Sequence, residues 1–228
     1  MFMIKKVVFM HYKQVYEFLC DLSKVETMAK DKHLHPMAAF LLDKILLGNV
    51  PTALFNSPNA TKVSDIKPAI EKSDLQILQK ILRAENLVNI VKDNHFSVYT
   101  EYVKRFPKPQ RKQLFHYFLI KHPDTFAAVV PVWSFDRQIV GHIDLLSLDK
   151  NNGQVDVFIL KYIRRGNPIR IIPQVLVYYQ LLQSLVPSLE NKFVCGILTD
   201  KGIYRFKPSQ KLLNFISKFM SLPGAFSF

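Results

Sequence analysis

Gly141-His142-Ile143-Asp144-Leu145-Leu146, followed by Val157-Phe158-Ile159-Leu160-Lys161-Tyr162 and then Gln174-Val175-Leu176-Val177-Tyr178, is the stretch whose reading decides the fold. The first two segments read as neighbouring strands joined through Asp149-Lys150-Asn151-Asn152-Gly153, a run with turn composition. The third lies in a helix over 173–185, with proline in its first turn. Asp144 sits among Ile143, Leu145 and Leu146, and an acid inside an apolar strand is costly unless it has a partner. Lys161 has the same difficulty beside Val157, Phe158, Ile159 and Leu160. Adjacent strands of one sheet let the two meet, either as a structural ion pair or as part of a chemical site. Gln174 and Tyr178 stand one helical turn apart and share a face. That face is either a satisfied polar edge on a core helix or a further part of the site.

Around this stretch the second half of the chain reads as β-structure. Strands are expected over 126–134, 139–148, 154–162, 193–199 and 203–206, the last two about the Asp200-Lys201-Gly202 turn, with an amphipathic helix over 209–220. The first half reads as mostly helical. Val15, Phe18, Leu19, Leu22 and Val25 show helical spacing over 11–30. A helix follows over 36–47, with Gly48 at its end and a loop over 49–62. Ser64 or Asp65 could cap a helix reaching about Asp93, broken near Pro68 and restarted at Ser73, with Leu75, Leu78, Ile81 and Leu82 as its apolar face. Residues 95–100 alternate weakly, as a short strand would, and a short helix is expected over 113–122. The fold class is therefore α/β (α+β), a mixed sheet flanked by helices. Residues 1–100 form a mostly helical N-terminal region, and 101–228 form the α/β core of one compact unit.

The chain has 228 residues, a formal net charge of +13 and 49% hydrophobic residues, enough for a substantial core. The basic excess lies mainly beyond residue 100 and favours a polyanionic partner, nucleic acid or an anionic membrane surface. Two basic clusters stand out: Lys104, Arg105, Lys108, Arg111 and Lys112 in a proline-punctuated connector, and Arg164, Arg165 and Arg170 just past Lys161. Each phosphate contact by such residues would add salt dependence to binding. Trp133 and the phenylalanines read mostly as core, and none as a base-stacking platform. Cys20 and Cys195 are the two cysteines, both in apolar surroundings, and read as buried thiols, with no iron–sulfur or structural zinc spacing. Residues 1–10 are too short and charged to span a bilayer and lack signal-peptide features, so an intracellular setting is expected.

In order and spacing, these pieces resemble the PD-(D/E)XK nuclease superfamily, specifically its RecB-type branch. Gly141-His142-Ile143-Asp144-Leu145 resembles the Gly-x-Ile-Asp-Leu strand, Lys161 the lysine of (Asp/Glu)-x-Lys, and Gln174 to Tyr178 the Gln-x-x-x-Tyr helix. Val129-Val130-Pro131-Val132 resembles the strand that enters this core. The resemblance covers roughly residues 115–207. It implies a restriction-endonuclease-like core acting on DNA in preference to RNA, with Mg²⁺ or Mn²⁺, and it admits a homodimer or larger complex. Asp144 would bind the metal, with Asp156 or His142 as further candidate ligands. Lys161 would position water and phosphate, and Gln174 and Tyr178 would support the site. The chain departs from the pattern at Ile159, where the family carries an acid, and at Val129 and Val130, where relatives often carry glutamate. An acid from elsewhere, such as Glu101 or Asp124, could substitute. His33 and His35 read as loop residues, not as the family's early Glu or His motif. The resemblance thus implies either metal-dependent phosphodiester hydrolysis with an altered site, or a catalytically silent nuclease fold that binds nucleic acid or scaffolds a complex.

Overall fold

Alternating apolar residues in the second half of the chain pair into a sheet in the computed structural model, which describes residues 3–66, 71–86, 88–151, 154–189 and 192–220. The strands β5 (Thr125–Ser134), β6 (Ile139–Asn151), β7 (Gln154–Tyr162), β8 (Phe193–Leu198) and β9 (Ile203–Phe206) form its middle. Four earlier strands join them: β1 (Ile4–His11), β2 (Gln14–Asp21), β3 (Thr61–Lys62) and β4 (Asn89–Val91). The order is β1-β2-β5-β6-β7-β8-β9-β4, with β3 beside β6. The β7–β8 and β3–β6 pairs are parallel and the others antiparallel. A parallel step needs a crossover, and helix α7 (Ile172–Leu185) supplies it between β7 and β8.

Helices cover both faces, which is the mixed α/β class expected. β7 shows why: Val157 and Ile159 enter one apolar cluster, shared with α7, while Phe158, Leu160 and Tyr162 enter a second. That second cluster is roofed by α5 (Asn94–Arg105) and α6 (Arg111–Lys121). Along the rest of the chain lie α1 (Leu22–Ala29), α2 (His35–Ala39, continued by a π-helical stretch to Leu46), α3 (Thr52–Phe55), α4 (Lys72–Ala84) and α8 (Gln210–Met220). Among the described residues no helix is long and apolar enough to cross a membrane.

The N-terminal region is less helical than its spacing suggests. Residues 14–21 form a strand where the spacing predicts a helix, and Val15, expected on the buried face, is 63% exposed. Tyr12 and Lys13 both take positive φ (50° and 65°), the conformation of a tight hairpin turn. Neither residue type advertises that turn, so the hairpin was hidden. Residues 95–100, read as a strand, belong to α5, whose N-cap Asp93 accepts from the Phe96 amide at 3.2 Å. Burial of Val98, Tyr99 and Tyr102 on one helical face overrides their β propensity. A division at residue 100 falls inside α5, and the first hundred residues contribute four strands to the common sheet. The 49–62 segment holds α3 and β3 in addition to loop. Ser64 and Asp65 sit in a 3₁₀ turn, Val63–Ile66, and the helix expected after them begins at Lys72. The break near Pro68 and the Asn152-Gly153 turn lie outside the described residues.

Packing between β7 and β8 depends on Gly196. A Cβ there would come within 2.4 Å of the Phe158 ring tip and 3.1 Å of Leu160. Phe158 is fully buried and has no room to retreat. Gly196→Ala should therefore cost about 1–3 kcal/mol through overpacking, read as a lower urea midpoint with an unchanged m-value.

Candidate functional site

Asp144 occupies the middle of the sheet and is completely buried. The β6–β7 register matches Leu145 with Leu160, so Asp144 and Lys161 face one another one step further along. Lys161 Nζ donates to Asp144 Oδ1 at 3.2 Å. The Tyr162 backbone N–H donates to Oδ2 at 2.9 Å. Arg111, from the start of α6, donates to Oδ1 through its guanidinium as well. The buried carboxylate thus carries two cations.

Burial works to raise the Asp144 carboxyl, but Lys161, Arg111 and the Tyr162 amide outweigh it and hold the group below its ordinary value. Burial pulls the Lys161 ammonium below its own ordinary value, and Asp144 opposes that pull. Both values move down, which favours the charged form of Asp144 and disfavours that of Lys161. The ionised carboxylate is the firmer assignment, because Arg111 remains charged whatever Lys161 does. The Arg111 guanidinium is itself raised, chiefly by Asp144.

Above this group opens a cavity of about 320 Å³, lined by Lys62, Asp65, Arg111, His142, Lys161 and Tyr178 among others. Gly141 lets it form. A Cβ there would lie 2.8 Å from Val63 Cγ2 and 2.9 Å from the Tyr178 ring, so only glycine lets the Val63–Ile66 turn and α7 close over β6. Gln174, buried on α7, donates to the Val63 carbonyl at 3.3 Å and holds that turn in place. The Lys161 ammonium sits 5.4 Å from the Tyr178 ring centroid. Gln174 and Tyr178 therefore do face the sheet, one fixing the cavity wall and the other lining it.

His142 packs 4.4 Å from the Tyr16 ring and 6.0 Å from that of His11, and its Nδ1 is buried without a hydrogen-bond partner. Burial pushes His142 down to about 3 and His11 down to about 4, so both are neutral near pH 7. With those histidines neutral, the lining and its floor set Lys62, Arg111 and Lys161 against Asp65 and Asp144, leaving an excess of positive charge.

Other candidates stand elsewhere. Asp156 pairs across the hairpin with Asp149, five residues along β6 from Asp144. At roughly 3.3 Å per residue that is about 16 Å away, and Lys207 holds Asp156 at 3.0 Å. It is not a partner of Asp144. Asp124 binds Lys150 at 2.5 Å and Glu101 accepts from the Tyr117 hydroxyl at 2.5 Å, and neither lines the cavity. Ile159 is fully buried in the apolar cluster on the α7 side. Lys104, Arg105, Lys108, Arg164, Arg165 and Arg170 are exposed at the surface. Lys112, also exposed, binds Glu17 at 2.7 Å. Cys20 and Cys195 are buried free thiols.

A hard cation such as Mg²⁺ takes about six oxygens and favours more than one carboxylate. Here the single central carboxylate already receives a guanidinium, an ammonium and a backbone N–H. The position expected to add a second acid is apolar, and a neutral imidazole is a poor magnesium ligand. Among the described residues no three His, Cys, Asp or Glu side chains converge on one point. The donor set does not fit Mg²⁺ or Mn²⁺. It fits an anion.

Sequence reasoning missed the residues that the N-terminal half brings to the cavity: His11, Tyr12, Tyr16, Lys62 and Asp65. No local spacing connects them with Asp144, because β1, β2 and the Val63–Ile66 turn arrive through the sheet. Arg111 was visible as a basic residue but not as the partner of Asp144. No protein-family model matches this chain, and no curated protein matches it either.

Two outcomes are expected of this geometry. Asp144→Ala strips a buried ammonium of its carboxylate and should cost about 3–5 kcal/mol, whereas Asp144→Leu with Lys161→Met should recover much of that loss. Chemical denaturation of the single and double variants checks it. For pH, the folded histidine values lie below the unfolded value of about 6.5. The unfolded chain therefore binds the extra protons as pH falls from about 6.5 towards 4. Stability should decline over that window by up to roughly 1.4 kcal/mol per pH unit for each histidine, and His142→Gln should flatten the slope in urea titrations at stepped pH.

Proposed function

We propose that this chain is a nucleic-acid-binding protein built on a PD-(D/E)XK-type core, whose central site grips a backbone phosphate and does not hydrolyse it. The observation that carries this reading is the position of Arg111. Its guanidinium meets the one buried carboxylate of the site, where the resemblance would put a divalent cation. Its side chain is nevertheless 48% exposed towards the cavity. Guanidinium carries five N–H donors in a planar fork suited to phosphate. Anchored on Asp144, it is preorganised and loses little freedom when an anion arrives. Lys161 and Lys62 add positive charge around the same cavity. The net charge of +13 and the exposed cations of both basic clusters supply the long-range attraction. These features support a polyanion carrying repeated phosphates.

One observation favours the alternative, metal-dependent hydrolysis of DNA. Asp65 brings a second carboxylate to the cavity lining. That reading requires the Arg111 guanidinium to leave Asp144.

Fluorescence anisotropy with labelled DNA, run in stepped KCl with either Mg²⁺ or EDTA, tests both readings. Binding should weaken linearly in log affinity against log salt and should be equal in Mg²⁺ and EDTA, with the DNA recovered intact. Arg111→Ala should weaken binding about tenfold, the scale of a charge-assisted contact. Cleavage that needs Mg²⁺ or Mn²⁺ and disappears in Asp65→Ala would replace the binding reading with the enzymatic one.

A further inference from the structure

An exposed phenylalanine is the feature that the central site leaves unexplained. Phe106, at the C-terminal end of α5, is 37% exposed. It belongs to a ring cluster in which Tyr102 packs behind it, tilted, at 4.9 Å and Tyr117 stands edge-on 6.4 Å away. The three rings line a groove of about 850 Å³ between the β1–β2 hairpin and the α5–α6 pair. Basic residues border it: Lys6 and Lys112 line its wall, and the Arg105 guanidinium lies 5.6 Å from the Phe106 ring.

This groove runs on to the Asp144 cavity. A middle depression of about 410 Å³ shares Glu17, Leu19 and Lys112 with the aromatic groove, and Tyr16, Arg111 and His142 with the cavity. A path lined by cations therefore leads from the Arg111 guanidinium to the rings of Phe106 and Tyr117. Glu17 interrupts it. Its carboxylate binds Lys112 at 2.7 Å and Lys6 at 3.7 Å, holding the two cations that flank the path.

Resting on the phosphate-binding reading above, we infer that this path is a track for single-stranded nucleic acid, with one backbone phosphate at Arg111 and a base stacked on Phe106, beside which Tyr117 stands edge-on, and with Glu17 as an internal competitor for Lys6 and Lys112. Stacking selects the single strand. A ring at the surface can meet a base face only where the base is unpaired and splayed out, since a duplex buries those faces. The aromatic face tolerates any base, so recognition along the track is by stacking and charge and not by sequence. Glu17 acts as a stand-in for phosphate. When a strand enters, its phosphates take over Lys112 and Lys6, and the released carboxylate is the cost of entry. Removing that carboxylate should therefore tighten binding.

The test is fluorescence anisotropy with a labelled oligothymidylate of about 15 nucleotides, a mixed-sequence single strand and the matching duplex. Wild type is compared with Phe106→Ala, Phe106→Trp, Tyr117→Ala, Glu17→Gln and Arg111→Ala. The single strands should bind in preference to the duplex. Phe106→Ala should weaken them about tenfold, the scale of one stacked base, and Phe106→Trp should restore binding. Glu17→Gln should bind more tightly than wild type. Circular dichroism melts show which variants fold. Salt-sensitive binding that prefers the duplex, or that ignores both aromatic substitutions and Glu17→Gln, overturns the track and leaves the phosphate-binding reading standing. No binding to any nucleic acid, with or without capture by anionic vesicles, overturns both.

Discussion

A single carboxylate buried in the centre of a sheet constrains the rest of this molecule. Asp144 is fully enclosed, and an isolated charge in such a place would cost far more than the few kcal/mol by which a domain of this size is stable. Its partners arrive from two elements, β7 and α6. Lys161 comes from the opposite strand, the Tyr162 N–H from the end of β7, and Arg111 from a helix remote in sequence. The β6–β7 pairing stops at Leu145 and Leu160, which leaves the Tyr162 amide to the carboxylate. Strain sits beside the same point. Val129 lies between the Ala128–Leu145 and Val130–Ile143 pairs with φ of 55°, a conformation that costs a β-branched residue about 1–3 kcal/mol. The neighbouring strand is distorted where it passes the buried charge, and Val129 lines the depression that leads away from it.

Arg111 joins the site to its surroundings. Because its guanidinium is tied to Asp144, the start of α6 is pinned over the end of the β1–β2 hairpin. That placement brings Lys112 to Glu17 and sets α6 and the end of α5 along one side of the large groove. The groove's position is thus coupled to the site's charge balance. An ion pair that is only partly buried contributes little stability. The larger effect of Arg111 is geometric, since it orders a positively charged fork at the mouth of a cavity.

The sheet was legible because apolar alternation and turn residues mark each strand of the second half, and β7 was bounded correctly at both ends. Asp144 and Lys161 were legible for a physical reason: a charge in an apolar strand demands a partner, and the nearest strand held one. Gln174 and Tyr178 followed from helical spacing. The N-terminal hairpin was not legible, because its turn is built from Tyr12 and Lys13 and its second strand carries apolar residues at intervals that suit a helix equally well. Asp65 and Arg111 were hidden for a different reason. Their relation to Asp144 is purely tertiary, and no periodicity reports that a 3₁₀ turn and a helix start converge on one cavity. Phe106 lies in the proline-punctuated connector and is not marked there as a stacking platform, because exposure of a single apolar residue at a helix end leaves no mark in the pattern.

Ile159 and Arg111 are two sides of one electrostatic change. Ile159 precedes Lys161 by two residues, so a carboxylate there would share the Lys161 face. The site would then hold two acids against Lys161, a balance that draws in a divalent cation. With isoleucine there, the position contributes to the apolar cluster under α7 instead. The single remaining acid is balanced twice over, by Lys161 and by Arg111. The excess charge around Asp144 is then positive, where a second acid in place of Ile159, against Lys161 alone, would make it negative. Ile159 without Arg111 would leave the cavity face of Asp144 to water. Arg111 beside two carboxylates would compete with any metal they bound. Found together, they leave Asp144 balanced by two cationic side chains of the chain itself, one from the neighbouring strand and one from the start of α6.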